Sequence, residues 1–375
     1  MLDLTMPRNP SPTRDAELDL CVACCRWPHD DAALEQVRAH AEGVDCERFL
    51  AMVNRHRVHG LARRALRRSG VTLPAAIEAT LSKQARDIAL RNVAMVAEYV
   101  ALDEALAAAC IPSLFVKGLT LARLAYGDLG IKANHDIDIL VAPDDLLTAV
   151  AVIEARGFCM IVPGKARAQI STWHRYSKES SWRHVDTGRI IDLHTMLTDS
   201  PLSLAGVGVG SPSQRVAIAG GRGVATLTRD DLFAYLAVHG AGSGWQRLKW
   251  IADFSALFGA CSDTELRRLY AHAAAIGAGR AGALAVLLGD RLFDWRISDR
   301  LREMLVQDRA VPPMLARSLA VLRGGRTIRD VTETRFGTLP IHRIHFALLP
   351  DWRYKADVLR SRIGTRLFGI RLWPC

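Results

Sequence analysis

The sequence predicts an α+β protein in which a small mixed β-sheet core is flanked by N-terminal and C-terminal helical subdomains. Apolar residues recur at helical spacing before residue 110 and again after residue 228, whereas the stretch between them holds short runs bounded by glycine and proline. Within that stretch a strand, a helix and further strands follow one another, which is typical of a small mixed sheet packed on helices. The expected division is a disordered N-terminus (1–14), a helical subdomain (15–110), an α/β core (111–228), a second helical subdomain (229–340) and a basic C-terminal segment (341–375).

The composition indicates a globular, cytoplasmic protein. Half of the 375 residues are hydrophobic, yet no uncharged apolar stretch is long enough to cross a bilayer, and no secretory signal is evident. Eight cysteines in a chain of this length fit a reducing compartment rather than a disulfide framework. Cys21, Cys24 and Cys25 have helical spacing and no second Cys/His pair nearby, so we expect small buried side chains there rather than zinc ligands.

The formal net charge of +10 favours an anionic or phosphorylated partner. Two clusters carry much of the excess: Arg55–Arg68 contains six arginines and no acid, and Ile341–Cys375 contains seven basic residues against two aspartates. In the first cluster, apolar residues at helical spacing place the arginines on the opposite face, which favours a solvated helix face. RNA binding through these clusters is the less favoured alternative, because neither has the interleaved aromatic residues of a single-strand platform.

Periodicity and turn residues predict the elements of the first two blocks. A long amphipathic helix over Ala75–Ala109 ends before Pro112, which cannot continue a helix. The polar stretch Gln169–Asp186 is expected to be a loop, either a lid over a site or a plain surface loop. The other expected elements of the core are a strand (Ser113–Val116), a helix (Leu119–Tyr126), a loop (Gly127–His135), a strand (Asp136–Val141), a helix opening at Pro143–Asp145, a strand (Arg189–His194) and a hairpin (Arg215–Ala219 with Val224–Leu227).

Helical spacing returns after the hairpin. Thr228 is the expected N-cap of the first helix of this block. Apolar residues then continue at helical spacing through Leu232–Gly259, Asp263–Ile276 and Gly282–Phe293, which predicts the second helical subdomain.

Two acidic residues lie on one face of the strand Asp136–Val141. Because side chains alternate along a strand, Asp136 and Asp138 share a face while Ile137 and Ile139 point into the core. Two carboxylates this close repel each other when ionised unless a cation bridges them. Hard divalent cations with oxygen ligands do this, and Mg²⁺ is the usual one where phosphates share the site. The pair therefore indicates a site for Mg²⁺ or Mn²⁺.

A third carboxylate comes from the strand Arg189–His194. Asp192 and His194 share one face of this strand, and its aliphatic residues point to the other. If the strand neighbours the one that carries Asp136, Asp192 either completes the metal site or acts as the base that activates an acceptor hydroxyl. His194 is expected to be a structural or supporting partner rather than a ligand, with substrate contact as the alternative.

Lys117 and Gly118 stand at a strand-to-helix turn upstream of the aspartates. Main-chain N–H groups and the helix dipole favour a phosphate at such a turn. A glycine permits close approach of the backbone, and the lysine supplies a positive charge. We therefore expect Lys117 and Gly118 to bind the phosphates of a nucleotide.

The order of these segments resembles the polymerase-beta-like nucleotidyltransferase fold and, more narrowly, the uncharacterised bacterial nucleotidyltransferases of the NTP_transf_5 type. The resemblance implies metal-dependent transfer of a nucleotidyl group, with Asp136, Asp138 and Asp192 as the acidic triad. The matching segments are Phe115–Gly118 ("FVKG"), Leu124–Val141, Ile190–His194 ("IIDLH") and Leu227–Phe258, and the helical block with "NRHRVHGLARRAL" is similar too.

Two positions depart from the family pattern. Leu119 follows Gly118 where the wider fold carries serine or glycine, and Lys132 stands where the narrower family often has an arginine. By this correspondence Lys132 belongs to the nucleotide-binding residues, although a lysine lacks the bidentate fork of arginine. The two departures leave open a non-catalytic protein that binds a nucleotide or a partner on the same fold.

The second helical block contributes three further candidates. His239, Lys249 and Asp253 lie in the family-like segment, where they could bind substrate as the block closes over the site. The structural alternative is that Lys249 and Asp253 pair along a helix and that His239 caps a helix end.

The expected reaction moves an NMP group from an NTP, with ATP as the expected nucleotide, to an acceptor hydroxyl and releases pyrophosphate. The acceptor is a small molecule, a peptide or protein side chain, or an RNA end, and the basic surface favours an anionic one.

Overall fold

The structure is a computed structural model that describes residues 15–164, 169–324 and 338–372, with side chains as far as residue 366. The N-terminal segment 1–14, expected to be disordered, lies outside the described residues. Helices precede and follow a central group of strands, as the α+β prediction requires. The helices are α1 (Ala16–Cys24), α2 (Asp31–Ala41), α3 (Cys46–His56), α4 (His59–Ser69), α5 (Ala75–Ala108), α6 (Leu119–Tyr126), α7 (Leu146–Ala155), α8 (Ile170–Trp173), α9 (Arg229–Gly242), α10 (Leu248–Phe258), α11 (Asp263–Ala275), α12 (Gly279–Phe293), α13 (Asp299–Val306), α14 (Val311–Arg323), α15 (Leu339–Ala347) and α16 (Trp352–Leu372).

The strands form a five-stranded mixed sheet and a separate hairpin. In the larger sheet the order is β1-β2-β5-β4-β3, with β2 and β5 parallel and the other neighbours antiparallel. The predicted hairpin is confirmed as β6 and β7, which pair with each other and pack against β1 and α6. The strands are β1 (Ser113–Phe115), β2 (Asp136–Val141), β3 (Phe158–Val162), β4 (Glu179–His184), β5 (Ile190–His194), β6 (Ser213–Ala219) and β7 (Arg222–Leu227).

Two strands of this sheet, β3 and β4, were not predicted from the sequence. The stretch 169–186 is not simply a loop, because it contains α8 and then β4, which pairs with both β3 and β5. Ser180 and Trp182 of β4 are fully buried, and the Trp182 indole donates to the Ser180 hydroxyl at 3.0 Å. Because Glu179, Ser181 and Arg183, which alternate with these two residues, face the other side of the sheet and are polar, the strand resembles a polar loop in sequence.

The two faces of the sheet meet different surroundings. Ile137, Ile139, Ile191 and Leu193 are fully buried in a core that α5 and α7 cover. On the opposite face, Leu140 joins a second and larger core. That core runs without a break from the N-terminal helices, through α9 and α12, to α15 and α16. The carboxylate-bearing face of β2 and β5 therefore looks toward the helices that surround this larger core.

The ends of the helices follow local sequence signals. Thr228 caps α9 as predicted, since its side chain accepts a hydrogen bond from the Asp231 N–H. The apolar stretch Leu232–Gly259 is divided into α9 and α10 by a break at Ser243–Arg247, where Trp245 adopts a φ of 51°. Cys21, Cys24 and Cys25 are fully buried free thiols, as expected of small core residues. None of the helices described here is long and apolar enough to span a membrane.

The arginine-rich stretch Arg55–Arg68 covers the end of α3 and most of α4. Its apolar residues are buried, as their spacing predicted. On the opposite face Arg67 and Arg68 are exposed, as expected, but two other arginines of the stretch contact distant parts of the chain. Arg55 donates to the main-chain carbonyls of Val321 and Arg323, and Arg64 pairs with Asp128 at 3.0 Å. Arg55 and Arg64 therefore bind groups that are distant in the sequence, and their charges are partly compensated within the fold.

Buried His56 is expected to make the free energy of unfolding depend on pH. Its Nδ1 accepts a hydrogen bond from the Leu248 N–H at 3.1 Å, which ties α3 to α10. Burial, aided by Arg55 and Arg247, lowers the pKa of His56 to about 3. Since this folded-state pKa lies below the unfolded value, the neutral ring contributes full stability above about pH 6.5, and the contribution is lost as the pH falls toward 3.

We expect His56→Gln to flatten this dependence, because the amide oxygen can still accept from the Leu248 N–H and does not titrate. Between pH 7 and pH 5, the free energy of unfolding measured in urea should fall more steeply for wild type than for His56→Gln, by up to ~1.4 kcal/mol per pH unit. His40→Gln, at a partly exposed histidine of α2, is the control and should keep the wild-type slope. Equal slopes for His56→Gln and wild type would contradict the assignment.

Candidate functional site

Three carboxylates meet on one face of the sheet. Asp138 of β2 stands directly opposite Asp192 of β5, and Asp136 lies two residues before Asp138 on the same face. Neighbouring strands run about 4.8 Å apart, so the three side chains project from neighbouring positions of one face of the sheet. The adjacency that the sequence left conditional is therefore present, and it comes from parallel pairing between segments more than 50 residues apart.

Asp138 is the centre of the group. It is almost fully buried, and its Oδ1 lies 2.7 Å from the Lys117 ammonium and 3.2 Å from His194 Nε2. Burial alone would raise the pKa of Asp138, but the charge of Lys117 and the hydrogen bond from His194 hold it well below its usual range. Asp138 is therefore an anion, and Lys117 and His194 are both at this site.

The other two carboxylates are less well compensated. Burial and the charges of Asp138 and Asp136 raise the pKa of Asp192 to about 7, although Ser181 donates a hydrogen bond to its Oδ1 at 2.6 Å. Burial and the charge of Asp138 also raise the pKa of Asp136. The anionic forms of Asp136 and Asp192 are thus disfavoured by burial and by neighbouring carboxylates, and a bound cation would favour them.

Strand β4 supplies residues that the sequence reading missed. Glu179 lies opposite His194 in the sheet, with its Oε2 3.2 Å from His194 Nδ1 and 2.6 Å from the Lys178 ammonium. Ser181 lies opposite Asp192. The alternation of polar residues with Ser180 and Trp182 was the available signal, but only the pairing of β4 with β5 brings Glu179 and Ser181 to the site.

The turn after β1 is shaped around Gly118. This residue has φ 65° and ψ −126°, a conformation that side chains disfavour, and a Cβ there would overlap the Tyr99 hydroxyl. That hydroxyl, missed in the sequence, accepts a hydrogen bond from the Leu119 N–H at 3.1 Å. The Leu119 side chain is fully buried in the core. The departure from serine or glycine at this position therefore places no bulk in the turn itself.

Lys132 contacts the second helical block. Its ammonium lies 3.3 Å from Asp253 Oδ2 and donates to Asn134 Oδ1 at 3.2 Å. Tyr126 donates to the other oxygen of Asp253 at 2.9 Å. The carboxylate of Asp253 is thus held by Lys132 and Tyr126, which joins the loop before β2 to α10. A helical pair with Lys249, the alternative weighed from sequence, is not what holds Asp253 in place.

His239 of α9 and Lys249 of α10 lie on the helical side of the site. Burial, with added repulsion from Lys132, lowers the pKa of Lys249 to about 7. Burial and the charges of Lys117 and Lys178 lower the pKa of His239 well below its usual range. The His239 ring lies edge to face with Trp250, 5.7 Å between centroids. A neutral imidazole and a readily deprotonated amine therefore stand within electrostatic reach of the aspartates.

Comparison with known proteins identifies a family. No curated protein matches the chain. A family model described as an uncharacterised nucleotidyltransferase matches residues 42–294, which is more than half of the chain and includes all three carboxylates, Lys117 and α10. The chain therefore belongs to this family of uncharacterised nucleotidyltransferases.

Proposed function

We propose that the protein is a metal-dependent nucleotidyltransferase that moves an NMP group from an NTP, with ATP as the expected nucleotide, to an acceptor hydroxyl. The observation that carries the proposal is the register of β2 and β5, which places Asp138 opposite Asp192 with Asp136 on the same face. The family of the chain supports the general class of reaction. The acceptor is a small molecule, a peptide or protein side chain, or an RNA end.

The donor set suits a hard divalent cation such as Mg²⁺ or Mn²⁺. Asp136, Asp138 and Asp192 offer oxygen ligands only. Burial first, and then repulsion between the carboxylates, raises the pKa values of Asp136 and Asp192, and a bound cation would relieve that repulsion. Within the described residues, no three or more His, Cys, Asp or Glu side chains already stand in ligand geometry. Lys117 contacts one oxygen of Asp138, and Ser181 donates to one oxygen of Asp192. The two carboxylates would therefore rotate when a cation binds. When bound, the cation would neutralise the carboxylates and polarise the α-phosphate.

The protein's own groups hold the nucleotide and manage the proton. Lys117, at the end of β1, pairs with the phosphates, and the Gly118 turn lets the start of α6 approach them. The acceptor oxygen forms a bond to the α-phosphorus as the bond from that phosphorus to the α,β-bridging oxygen breaks. Pyrophosphate leaves with the electron pair of that bond. Asp192 lies opposite Asp138 and takes the hydroxyl proton.

The proposal is tested by incubating the protein with α-³²P-labelled NTPs and Mg²⁺ or Mn²⁺, with separated small-molecule, RNA and protein fractions of the host as acceptors. We expect label in one fraction, released pyrophosphate in equal amount, and loss of both in Asp136→Ala. Labelling that is unchanged in Asp136→Ala would contradict the assignment of the site.

A non-catalytic nucleotide-binding protein is the second candidate, and one observation favours it. Asp138 already has both Lys117 and His194 on one oxygen, which competes with a cation for that ligand. Such a protein would be stabilised by an NTP in thermal melts and would transfer no label to any fraction. The two measurements together separate the candidates, since the enzyme requires both effects.

Ser181 is expected to position Asp192. Ser181→Ala removes the 2.6 Å hydrogen bond and leaves the carboxylate free to rotate. We expect kcat to fall about tenfold with little change in KM for the NTP, since a positioned proton acceptor contributes roughly 10²–10⁴-fold and only its orientation is lost. Ser181→Thr keeps the hydroxyl and should restore most of kcat. An unchanged kcat in Ser181→Ala would show that Asp192 needs no such support.

A further inference from the structure

A concave, arginine-lined cleft lies on the N-terminal helices, outside the carboxylate site. It lies between α4, α5 and the loop that leads into β2, and it has a volume of about 600 Å³. None of the three carboxylates, Lys117 or Lys132 lines it. The lining residues are Gly60, Arg63, Arg64, Arg67, Arg68, Ala85, Arg86, Ala89, Asp128, Gly130 and Ile131.

Three of the five arginines are available to a ligand. Arg67, Arg68 and Arg86 are exposed, and within the described part of the chain none of them forms an ion pair or a hydrogen bond. The remaining two are held in place. Arg63 donates to the Ser82 hydroxyl at 3.0 Å, and Arg64 pairs with Asp128 at 3.0 Å. One carboxylate therefore faces five guanidinium groups, and the cleft carries uncompensated positive charge.

The floor of the cleft is fixed by close packing. Gly60 lies so near the Ile131 carbonyl that a Cβ would overlap it, which brings α4 directly against the loop. Asn92 of α5 donates to the carbonyls of Leu129 and Lys132 at 2.6 and 2.8 Å. The loop is thus tied to both helices. The packed fold therefore fixes the floor of the cleft, and arginine side chains line it.

We propose that this cleft is a binding site for a small ligand that carries two or more phosphate groups. Guanidinium groups bind phosphate oxygens with two parallel hydrogen bonds, and several arginines around one cleft suit adjacent phosphates. The volume lies in the range of small-molecule sites. No aromatic side chain lines the cleft, so a stacking platform for nucleic-acid bases is absent from its walls.

The test is isothermal titration of the full-length protein with inorganic tripolyphosphate in the presence of EDTA, so that no metal-bound nucleotide takes part. We expect the double variant Arg67→Ala/Arg86→Ala to bind on the order of a hundredfold more weakly than wild type, because each charge-assisted contact is worth about tenfold. One control should bind as wild type does: Arg300→Ala/Arg317→Ala, which removes two exposed helical arginines elsewhere.

A second variant separates charge from geometry. Arg67→Lys/Arg86→Lys keeps both charges but loses the bidentate fork, and we expect an intermediate loss of about tenfold. Both affected residues are exposed, and circular dichroism melts should show unchanged folding. Full affinity in Arg67→Ala/Arg86→Ala would overturn the proposal, as would an equal loss of binding in Arg300→Ala/Arg317→Ala.

An RNA arm decides between ligand classes. A ten-nucleotide RNA without a terminal phosphate is titrated under the same conditions. If this RNA binds with a steep salt dependence while tripolyphosphate does not bind, the cleft belongs to a nucleic-acid surface and the proposal fails. The proposal does not rest on nucleotidyl transfer. Its failure and that of the proposed function are distinguishable, since the titration uses neither a divalent metal nor an NTP.

Discussion

Asp138→Ala is expected to abolish nucleotidyl transfer and also to lower the free energy of unfolding by about 3–5 kcal/mol. The second effect arises because the substitution leaves the largely buried Lys117 ammonium without the carboxylate that lies 2.7 Å from it. Breaking a buried pair by removing one partner costs more than the pair itself contributes, since the remaining charge keeps its desolvation penalty.

Removing both partners tests this reasoning. The double variant Lys117→Met/Asp138→Ala should recover most of the lost stability, because no buried charge is left unpaired, while transfer stays absent. Urea unfolding at pH 7 gives the free energies, and labelled NTP gives the activity. The control is Asp87→Ala, which breaks the exposed pair of Lys83 and Asp87, 3.0 Å apart, and should cost under about 0.5 kcal/mol.

Two results would contradict this account. If Asp138→Ala has the same free energy of unfolding as wild type, the substitution does not leave the Lys117 ammonium without a partner at a cost in stability. If Lys117→Met/Asp138→Ala transfers label as wild type does, the carboxylate has no part in the reaction.

Gly118→Ala is expected to destabilise the protein by about 2–5 kcal/mol and to weaken NTP binding. Two costs add: the backbone conformation at φ 65° and ψ −126° is strained for any residue with a side chain, and the new methyl group overlaps the Tyr99 hydroxyl. The turn must then shift. Because Lys117 and the start of α6 flank this turn, we expect their alignment with the phosphates of the proposed nucleotide to shift with it.

A double-mutant cycle separates the two costs. Tyr99→Phe alone should cost about 1 kcal/mol, since it removes the hydrogen bond from the Leu119 N–H. In Tyr99→Phe/Gly118→Ala the overlap with oxygen is gone, so the total should be smaller than the sum of the single effects. Gly127→Ala is the matched control at the other end of α6, where φ is 66° and nothing lies near the position of a Cβ. It should cost only about 1–2 kcal/mol.

Strict additivity in this cycle would mean that the Tyr99 hydroxyl does not set the space at Gly118. A cost for Gly118→Ala no larger than that for Gly127→Ala would mean the same. Thermal and urea unfolding of the four variants give the comparison, and NTP affinity in Mg²⁺ reports the second expected effect.

Local patterns were sufficient for the type and bounds of several elements. α6 and β2 have the predicted bounds, and α5 ends one residue before the predicted end, because proline and glycine mark the ends of these elements. β4 could not be found this way. It is buried on one face by a serine and a tryptophan and bears site residues on the other, so its sequence lacks the apolar alternation of an ordinary strand.

The sequence by itself determined that Asp136 and Asp138 share a face, because side-chain alternation is a property of a single strand. It also marked Lys117, Gly118 and Asp192 as candidates for the same chemistry. The tertiary structure decided which groups pair with each carboxylate. It places His194 and Lys117 against Asp138, Ser181 against Asp192, and Lys132 against Asp253. These contacts join segments distant in the chain, and only the packing of the sheet against the helices brings them within hydrogen-bonding range.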